Sequence, residues 1–368
     1  MRLGYFMMPL HPLGSNLADT LDLDLAQVER ADELGFSEAW IGEHFTAEWE
    51  NIPAPDQFIA AALQRTKQIV FGTGVSCMPN HSPFVLAHRI AQLDQMARGR
   101  FIWGIGAGAF VGDMEMVGID PKSGKQRELT LDAVDLVIKL WTGEAAPGLY
   151  EQHNWRFTVP TPDVSIGKHV HIKPFQQPHP PVAVAGVSER SETLRLAGER
   201  GWIPMSINLI PPRALATHWD QVAAGAASTG RTADRASWRI ARDIHVAETD
   251  EQAREEALTG AIGRDYDEYF LRNSRKQPGR ISSFKQDLSL PDEAVTLEYL
   301  LDNVWIVGDP DTCARKLHAL YETVGGFGTL LAIAHDWPDR AVWDRSMTLL
   351  ADEVMPRLGR LIGEPVAV

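Results

Sequence analysis

The chain has 368 residues, of which 44% are hydrophobic and 23% charged, and a formal net charge of −14 at pH 7. This balance is typical of a globular protein, and the acidic charge argues against non-specific nucleic-acid binding, which requires a basic patch. Its two cysteines, Cys77 and Cys313, lie far apart and show no metal-ligand spacing, so we expect no disulfide framework and a cytoplasmic location. The first residues resemble a strand rather than a signal peptide, and no apolar run is long enough to cross a bilayer.

Strands and helices alternate along most of the chain. Predicted strands cover residues 2–6, 38–42, 69–75, 101–105, 181–185, 202–206, 238–246, 303–307 and 329–333. Predicted helices cover residues 17–34, 56–66, 84–97, 129–142, 189–200, 212–227, 251–262, 309–323 and 338–361, and Asp56 is expected to cap the second of them.

About eight strand–helix units favour a parallel sheet, and eight units favour closure into a TIM (β/α)8 barrel. An open doubly wound sheet is the alternative, but Gly4 and Gly14 do not supply the glycine fingerprint expected after its first strand. We therefore predict a single α/β domain over residues 1–368 with insertions at about 144–180 and 263–297. The first insertion is rich in proline, and the second is polar and punctuated by glycine and proline.

The second predicted strand ends abruptly in Glu43 and His44. In barrels of this type the catalytic groups sit at the carboxyl edge of the strands, so His44 is the first candidate for chemistry near neutral pH. The alternative is a structural histidine that bonds to a carbonyl group.

Glycines cluster at two further strand ends, at Gly72 and Gly74 and at Gly104, Gly106 and Gly108. Glycine within a buried strand indicates a close backbone approach, by a flat ligand or by a packed neighbour, and both possibilities stay open.

The segment from Ala185 to Ser191 runs from a predicted strand directly into a predicted helix. Free N–H groups at such a junction bind phosphate, and the hydroxyls of Ser188 and Ser191 would add donors. The alternative is that Ser188 only caps the helix. The predicted phosphate-binding residues are Ala185, Gly186, Val187, Ser188 and Ser191.

A metal site is disfavoured. His169 and His171 alternate on a possible strand, as metal-binding pairs do, but no third ligand is near them in the sequence. We therefore predict no metal, and the chain also lacks the Gly-x-Ser-x-Gly elbow of a serine hydrolase.

Several motifs together resemble the bacterial luciferase-like flavin-dependent monooxygenases. They are Glu-Ala-Trp-Ile-Gly-Glu-His-Phe (38–45), Phe-Gly-Thr-Gly-Val (71–75), Leu-Asp-Gln-Met-Ala-Arg-Gly-Arg-Phe (93–101), Ala-Gly-Glu-Arg-Gly (197–201), Val-Trp-Ile-Val-Gly-Asp-Pro (304–310) and Glu-Val-Met-Pro (353–356). Two more, Met-Pro-Leu-His-Pro (8–12) and Gln-Pro-His-Pro-Pro-Val-Ala-Val-Ala (177–185), are similar to the limonene monooxygenase branch.

The resemblance implies a barrel that binds reduced FMN at the carboxyl edge, with the ring near Phe6, Val75 and Gly106. It also implies a non-prolyl cis peptide in the neighbourhood of residues 74–76 and a phosphate held by residues 186–191. One departure stands out, because the luciferase position that supplies an arginine to the phosphate is Ala107 here. Arg190 or Arg127 is then the candidate replacement.

The implied reaction uses reduced FMN from a separate NAD(P)H-dependent flavin reductase and dioxygen to oxygenate a small hydrophobic substrate through a flavin peroxide. His44, oriented by Glu43 or a backbone carbonyl, would assist proton transfer. Residues 263–297 would form a lid over the site. The substrate pocket is predicted from residues near strand ends, namely Leu10, His11, Trp49, Met78, Phe110, Met205 and Trp337.

The resemblance leaves alternatives open. A deazaflavin-dependent hydride-transfer enzyme on the same barrel is the nearest, followed by a catalytically silent flavin-binding protein and a metal-dependent hydrolase. A homodimer that forms through the helices around residues 58–63 and 84–93 is also expected from the family.

Overall fold

Parallel strands form a closed barrel at the centre of the molecule. The computed structural model describes residues 1–363 with the exception of 9, 121 and 154. In chain order the strands of this part are β1 (Arg2–Met7), β2 (Glu38–Ile41), β3 (Val70–Thr73), β4 (Ser76–Cys77), β5 (Phe101–Gly106), β6 (Gly148–Gln152), β7 (Trp155–Val159), β8 (Val182–Gly186), β9 (Ile203–Ser206), β10 (Arg239–Arg242), β11 (Ile244–Val246), β12 (Ile306–Gly308) and β13 (Thr329–Ile333).

Eight of these strands pair in parallel in the order β1, β2, β3, β5, β8, β9, β10 and β13, and β13 pairs with β1 to close the barrel. β4 prolongs β3 after a short break and pairs with the end of β5. The structure thus confirms the predicted TIM barrel, and the carboxyl ends of all eight strands meet at one edge.

Helices surround the barrel. In the described residues they are α1 (Leu17–Glu33), α2 (Pro55–Ala62), α3 (Pro83–Ala97), α4 (Val111–Met116), α5 (Lys125–Thr142), α6 (Glu192–Arg200), α7 (Pro212–Ser228), α8 (Asp250–Thr259), α9 (Ala261–Asp265), α10 (Leu271–Arg275), α11 (Leu297–Asn303), α12 (Pro310–Val324), α13 (Arg340–Leu349) and α14 (Met355–Leu361). Two π-helical turns, Tyr266–Phe270 and Leu350–Val354, join α9 to α10 and α13 to α14. No helix among the described residues is long and apolar enough to cross a membrane.

A buried ion pair lies inside the barrel at its amino end. Arg239 of β10 donates to the Glu38 carboxylate of β2 at 2.7 Å, and the Trp40 indole donates to the same carboxylate at 3.0 Å. Gly72 of β3 makes room for Trp40, because a Cβ on Gly72 would lie 2.3 Å from the indole ring. The flat neighbour that requires this glycine is therefore a tryptophan of the barrel itself.

Two predicted strands are wrong in part. The strand predicted at 238–246 is split, because the chain leaves the barrel after Arg242 and β11 pairs with β12 in a separate two-stranded sheet. The strand predicted at 303–307 is consequently outside the barrel, and Asn303 still belongs to α11.

Local details also differ from the predictions. Asp56 does not cap α2, because the N-cap residue of this helix is Ala54. The Asp56 carboxylate instead accepts a hydrogen bond from the Arg89 guanidinium at 2.6 Å. The helix predicted at 189–200 begins only at Glu192, with Ser191 rather than Ser188 at the N-cap.

The two predicted insertions both have regular structure. The first contains the antiparallel hairpin β6–β7, whereas His169 and His171 lie outside any strand with their rings 5.8 Å apart. The second runs through α9, a π turn and α10, and it buries Tyr266, Tyr269 and Phe270. This part of the second insertion is thus a packed helical layer.

Candidate active site

His44 lies just beyond β2 at the carboxyl edge, where two carboxylates hold its ring. Its backbone N–H donates to the Ile52 carbonyl at 3.1 Å, which fixes the loop. Its Nδ1 lies 3.0 Å from Asp113 Oδ2, and its Nε2 lies 3.2 Å from Glu50 Oε2. The side chain is 21% exposed, so it reaches the surface of the barrel mouth while both ring nitrogens are paired.

The two carboxylates set the charge of His44. Burial by itself lowers the pKa of His44, but the charges of Glu50 and Asp113 outweigh burial and raise this pKa to about 10. Burial likewise acts to raise the pKa of Asp113, yet hydrogen bonds from His44 and Thr46 bring it below its ordinary value. At neutral pH the site therefore holds an imidazolium between two anions.

The second carboxylate oxygen of Asp113, which does not contact His44, is also hydrogen-bonded. Its Oδ1 accepts from the backbone N–H groups of Phe45 and Thr46 and from the Thr46 hydroxyl, the last at 2.6 Å. Because Asp113 lies in the first turn of α4, these bonds fix α4 against the loop that carries His44.

Glu50 connects His44 to the second insertion. The Tyr269 hydroxyl donates to Glu50 Oε1 at 2.6 Å, and the Tyr269 ring stacks on Trp49 with a centroid distance of 5.5 Å. Burial and the Glu50 charge raise the pKa of Tyr269 well above its usual range, so the hydroxyl stays a donor. The segment predicted as a lid therefore contacts the partner of the candidate catalytic histidine.

Glu43 does not orient His44, and that expectation is wrong. Its carboxylate points to the next strand end, where it accepts from Asn80 at 3.2 Å and lies 2.9 Å from the His81 ring. The Asp113 and Glu50 carboxylates, rather than Glu43 or a backbone carbonyl, fix the imidazole.

The residues predicted to lie against the flavin ring meet at the strand ends. A Cβ on Gly106 would lie 2.4 Å from Val75, and one on Gly74 would lie 3.1 Å from the Phe6 ring. The peptide bond between Gly74 and Val75 is cis, as the resemblance implies. Phe6, Val75 and Gly106 are thus brought together at one side of the mouth.

The predicted phosphate-binding segment forms the junction between β8 and α6. Val187 and Ser188 are exposed, whereas Gly186 and Ser191 are buried. Ser191 occupies the N-cap of α6, although its hydroxyl makes no capping bond. The positions of Ala185 to Ser191 are therefore compatible with a ligand at this helix end.

An arginine lies against this junction, but it is neither of the two predicted ones. Arg213 of α7 donates to the Glu189 carboxylate at 2.6 Å. Arg190 is exposed with its backbone N–H on Thr217, and Arg127 is exposed on α5. Arg213 thus neutralises the acidic side chain that would oppose a phosphate.

The residues predicted for the substrate pocket separate into three sets. Phe110 packs edge-on against His44 with ring centroids 5.5 Å apart, and Trp49 precedes Glu50 under Tyr269. His11 is buried between Asp24 and Asp336, 3.1 and 3.0 Å away, and Trp337 stacks on His245. The remaining three, Leu10, Met78 and Met205, are buried.

A second histidine between carboxylates lies near the ends of β10 and β13. His335 lies 3.1 Å from Asp243 and 2.8 Å from Asp265, and Tyr266 and Asn208 donate to Asp243. These side chains are fully buried. Nothing in the local sequence pattern distinguishes them, or Glu50, Asp113 and Tyr269, from ordinary surface residues.

Comparison with known proteins agrees with this geometry. Residues 1–326 match the model of the luciferase-like monooxygenase family. The 4-hydroxyprotoasukamycin monooxygenase of Streptomyces nodosus subsp. asukaensis is 35% identical over 96% of this chain and 91% of its own length. The limonene 1,2-monooxygenase of Rhodococcus erythropolis is 33% identical over 98% and 87%.

A solved structure is equally similar. The oxygenating constituent of 3,6-diketocamphane monooxygenase from Pseudomonas putida, a type II Baeyer-Villiger monooxygenase in complex with FMN, has a TM-score of 0.89. It is 32% identical, and the match covers 97% of this chain and 98% of that one. These matches confirm the predicted resemblance, and the chain belongs to the luciferase-like monooxygenase family.

Proposed function

We propose that the protein is an FMN-dependent monooxygenase that uses reduced FMN and dioxygen to oxygenate a small hydrophobic organic compound. The observation that carries this proposal is the His44 ring held between the Glu50 and Asp113 carboxylates, at the same barrel edge as the strand ends that carry Phe6, Val75 and Gly106. The FMN-binding relative with a TM-score of 0.89 supports the choice of cofactor.

The residues present are compatible with FMN. Among the described residues, the backbone N–H groups of Ser188 and Glu189 have no hydrogen-bond acceptor, and they lie just before the amino end of α6. A phosphate at this place would meet free donors and the positive end of the helix dipole. The flavin ring would lie against Phe6, Val75 and Gly106. When bound, reduced FMN supplies the two electrons that allow one oxygen atom to enter the substrate and the other to leave as water.

His44 supplies a proton and a positive charge in this proposal. A ring with a pKa of about 10 stays protonated at neutral pH, so it acts as a donor rather than as a general base. Asp113 and Glu50 hold the ring in one orientation and balance its charge. The 21% exposure of the side chain leaves it accessible from the barrel mouth.

The helical layer over the site excludes water. Tyr269 closes on Glu50 and Trp49, and Tyr266 and Phe270 fill the space behind it. Exclusion of water prevents wasteful side reactions of the activated oxygen. We propose that Trp49 and Phe110 line the substrate side of this layer, and that the buried Met205 also borders the substrate. His11, which is buried between Asp24 and Asp336, would support the pocket wall.

The partner and the substrate class are inferred from the relatives. The solved relative is described as an oxygenating constituent, which supports a separate NAD(P)H-dependent flavin reductase as the source of reduced FMN. Relatives that oxygenate limonene and a diketocamphane favour a terpene-like alkene or ketone as substrate.

Three organisational features are also proposed. The single-domain arrangement is supported by α13, where the Trp343 indole donates to the Tyr5 hydroxyl of β1 at 3.2 Å. A homodimer through α2 and α3 is supported by the exposed Val85 and Met96 on α3. Two buried, unpaired cysteines are compatible with the cytoplasm.

The test compares the two flavin chemistries. The protein is incubated with a terpene ketone and either reduced FMN in air or reduced deazaflavin without oxygen, and the products are identified by mass spectrometry. Our proposal predicts an oxygenated product in the first mixture only. Anaerobic reduction of the ketone by the deazaflavin would instead establish the hydride-transfer alternative.

A further inference from the structure

A buried histidine of α7 holds the loop between β8 and α6 by a hydrogen bond to its backbone. His218 is fully buried, and its Nε2 lies 2.9 Å from the backbone carbonyl oxygen of Ser188. Its Nδ1 lies 2.8 Å from the Ser206 hydroxyl at the end of β9, and the Trp238 indole N–H lies 2.9 Å from the same hydroxyl. A continuous chain of hydrogen bonds therefore links the barrel wall to the loop.

The direction of every bond in this chain is determined. A carbonyl only accepts and an indole N–H only donates, so His218 Nε2 donates to Ser188 and Trp238 donates to Ser206. Burial lowers the pKa of His218 to about 4, so the ring is neutral and carries a single N–H. Its Nδ1 must then accept from the Ser206 hydroxyl, which fixes one tautomer.

This arrangement orients one peptide group of the loop. In a trans peptide the C=O and the following N–H point in opposite directions. Because the Ser188 C=O points to the buried His218, the Glu189 N–H points away from α7. That N–H has no acceptor among the described residues, and the neighbouring Ser188 is exposed.

We propose that His218 is a positioning residue for the flavin phosphate, which it serves by holding the Ser188–Glu189 peptide with its N–H directed at the ligand. The inference rests on the proposed function, because it takes the phosphate of FMN as the ligand of this loop. Arg213 contributes by pairing with the Glu189 carboxylate, which would otherwise repel the phosphate. His218 itself does not touch the cofactor.

Two variants separate the hydrogen bond from the bulk of the side chain. The amide of His218→Gln reaches about as far as Nε2 and can still donate to Ser188, whereas the amide of His218→Asn is one methylene shorter. Equilibrium dialysis under nitrogen gives the affinity of each variant for reduced FMN and for reduced riboflavin, which lacks the phosphate. Thermal unfolding of each variant is also measured, to show whether the variant is folded.

For the wild type we expect tighter binding of FMN than of riboflavin. His218→Asn should weaken FMN binding about tenfold and leave riboflavin binding unchanged. Without the His218 hydrogen bond the Glu189 N–H is no longer directed at the phosphate, so one charge-assisted hydrogen bond to the ligand is lost. His218→Gln should keep the preference for FMN.

Equal loss of FMN and riboflavin affinity in His218→Asn would overturn the inference, because it would indicate a purely structural role. An unchanged preference in His218→Asn would overturn it as well. A wild type without any preference for FMN would instead refute the assignment of the phosphate to this loop, so the two failures are distinguishable.

Discussion

Nε2 of His44 lies 3.2 Å from the Glu50 carboxylate, and that carboxylate is in turn held by the Tyr269 hydroxyl at 2.6 Å. A histidine at the end of the second strand is thereby coupled to a helical layer more than 200 residues further along the chain. Through this coupling, the helical layer holds one of the two carboxylates that keep His44 protonated.

Removal of one carboxylate should change the charge of His44. In Glu50→Gln the imidazolium loses one of its two anions, so its pKa should fall from about 10 by about 1–3 pH units. Asp113→Asn should act in the same direction. NMR titration of the His44 ring measures both effects, and a pKa that stays near 10 in either variant would show that the carboxylate does not stabilise the cation.

The stability of the protein should fall as the pH rises above neutrality. Burial opposes protonation of His11, His44 and His335, but paired carboxylates raise their pKa values to about 9, 10 and 9. A pKa above the unfolded value of about 6.5 means that the stabilisation is complete below pH 6.5 and is lost as the pH passes 9–10. Each group contributes a slope of up to about 1.4 kcal/mol per pH unit in this window.

Urea unfolding at pH 6.5, 8 and 9.5 measures this slope. His44→Gln removes one of the three groups, so its free energy of unfolding should depend less steeply on pH than that of the wild type. A wild-type stability that rises between pH 6.5 and 9.5 would contradict the assignment of these histidines as cations.

Loss of the Tyr269 hydroxyl should loosen the covering layer. Tyr269→Phe keeps the stacking on Trp49 but removes the hydroxyl that donates to Glu50 Oε1, so the free energy of unfolding should fall by about 1–3 kcal/mol. More oxygen should then be released as hydrogen peroxide, because water reaches the site more easily. Tyr150→Phe in the exposed β6–β7 hairpin is the matched control and should change neither quantity.

The ion pair inside the barrel should be costly to break. Glu38→Gln leaves the Arg239 guanidinium buried without its partner charge, which should lower the free energy of unfolding by about 3–5 kcal/mol. Asp135→Asn breaks the exposed pair with Arg200 and should cost at most about 1 kcal/mol. Similar losses in the two variants would show that the barrel interior tolerates an unpaired charge.

The repeating order of the barrel could be predicted from sequence because each strand is a short apolar run followed by an amphipathic helix. The strand predicted at 329–333 has the observed bounds, and those at 2–6 and 101–105 are each one residue short. The prediction failed at 238–246, where continuous hydrophobicity conceals the departure of the chain from the barrel after Arg242. Hydrophobicity reports burial, whereas the partner of a strand is set by the fold.

The sequence predicted those site residues that stand directly at the end of a strand. His44 and the glycines at 74 and 106 stand at strand ends and are visible as such. Glu50, Asp113 and Tyr269 come from a loop, a short helix and a π turn, and only the folded chain brings them to His44. Glu43 misled the prediction because adjacency in sequence does not give adjacency at the end of a strand, where side chains diverge.

The most direct test of the proposed function traces the oxygen atoms. The protein is supplied with reduced FMN from a flavin reductase, with ¹⁸O₂, and with a panel of cyclic terpenes and terpene ketones, and each product is analysed by mass spectrometry. We predict a product that carries one ¹⁸O atom, and we predict that its yield falls in His44→Gln while hydrogen peroxide rises. Recovery of all the consumed oxygen as hydrogen peroxide across the panel, with no label in any product, would contradict the assignment of monooxygenase activity.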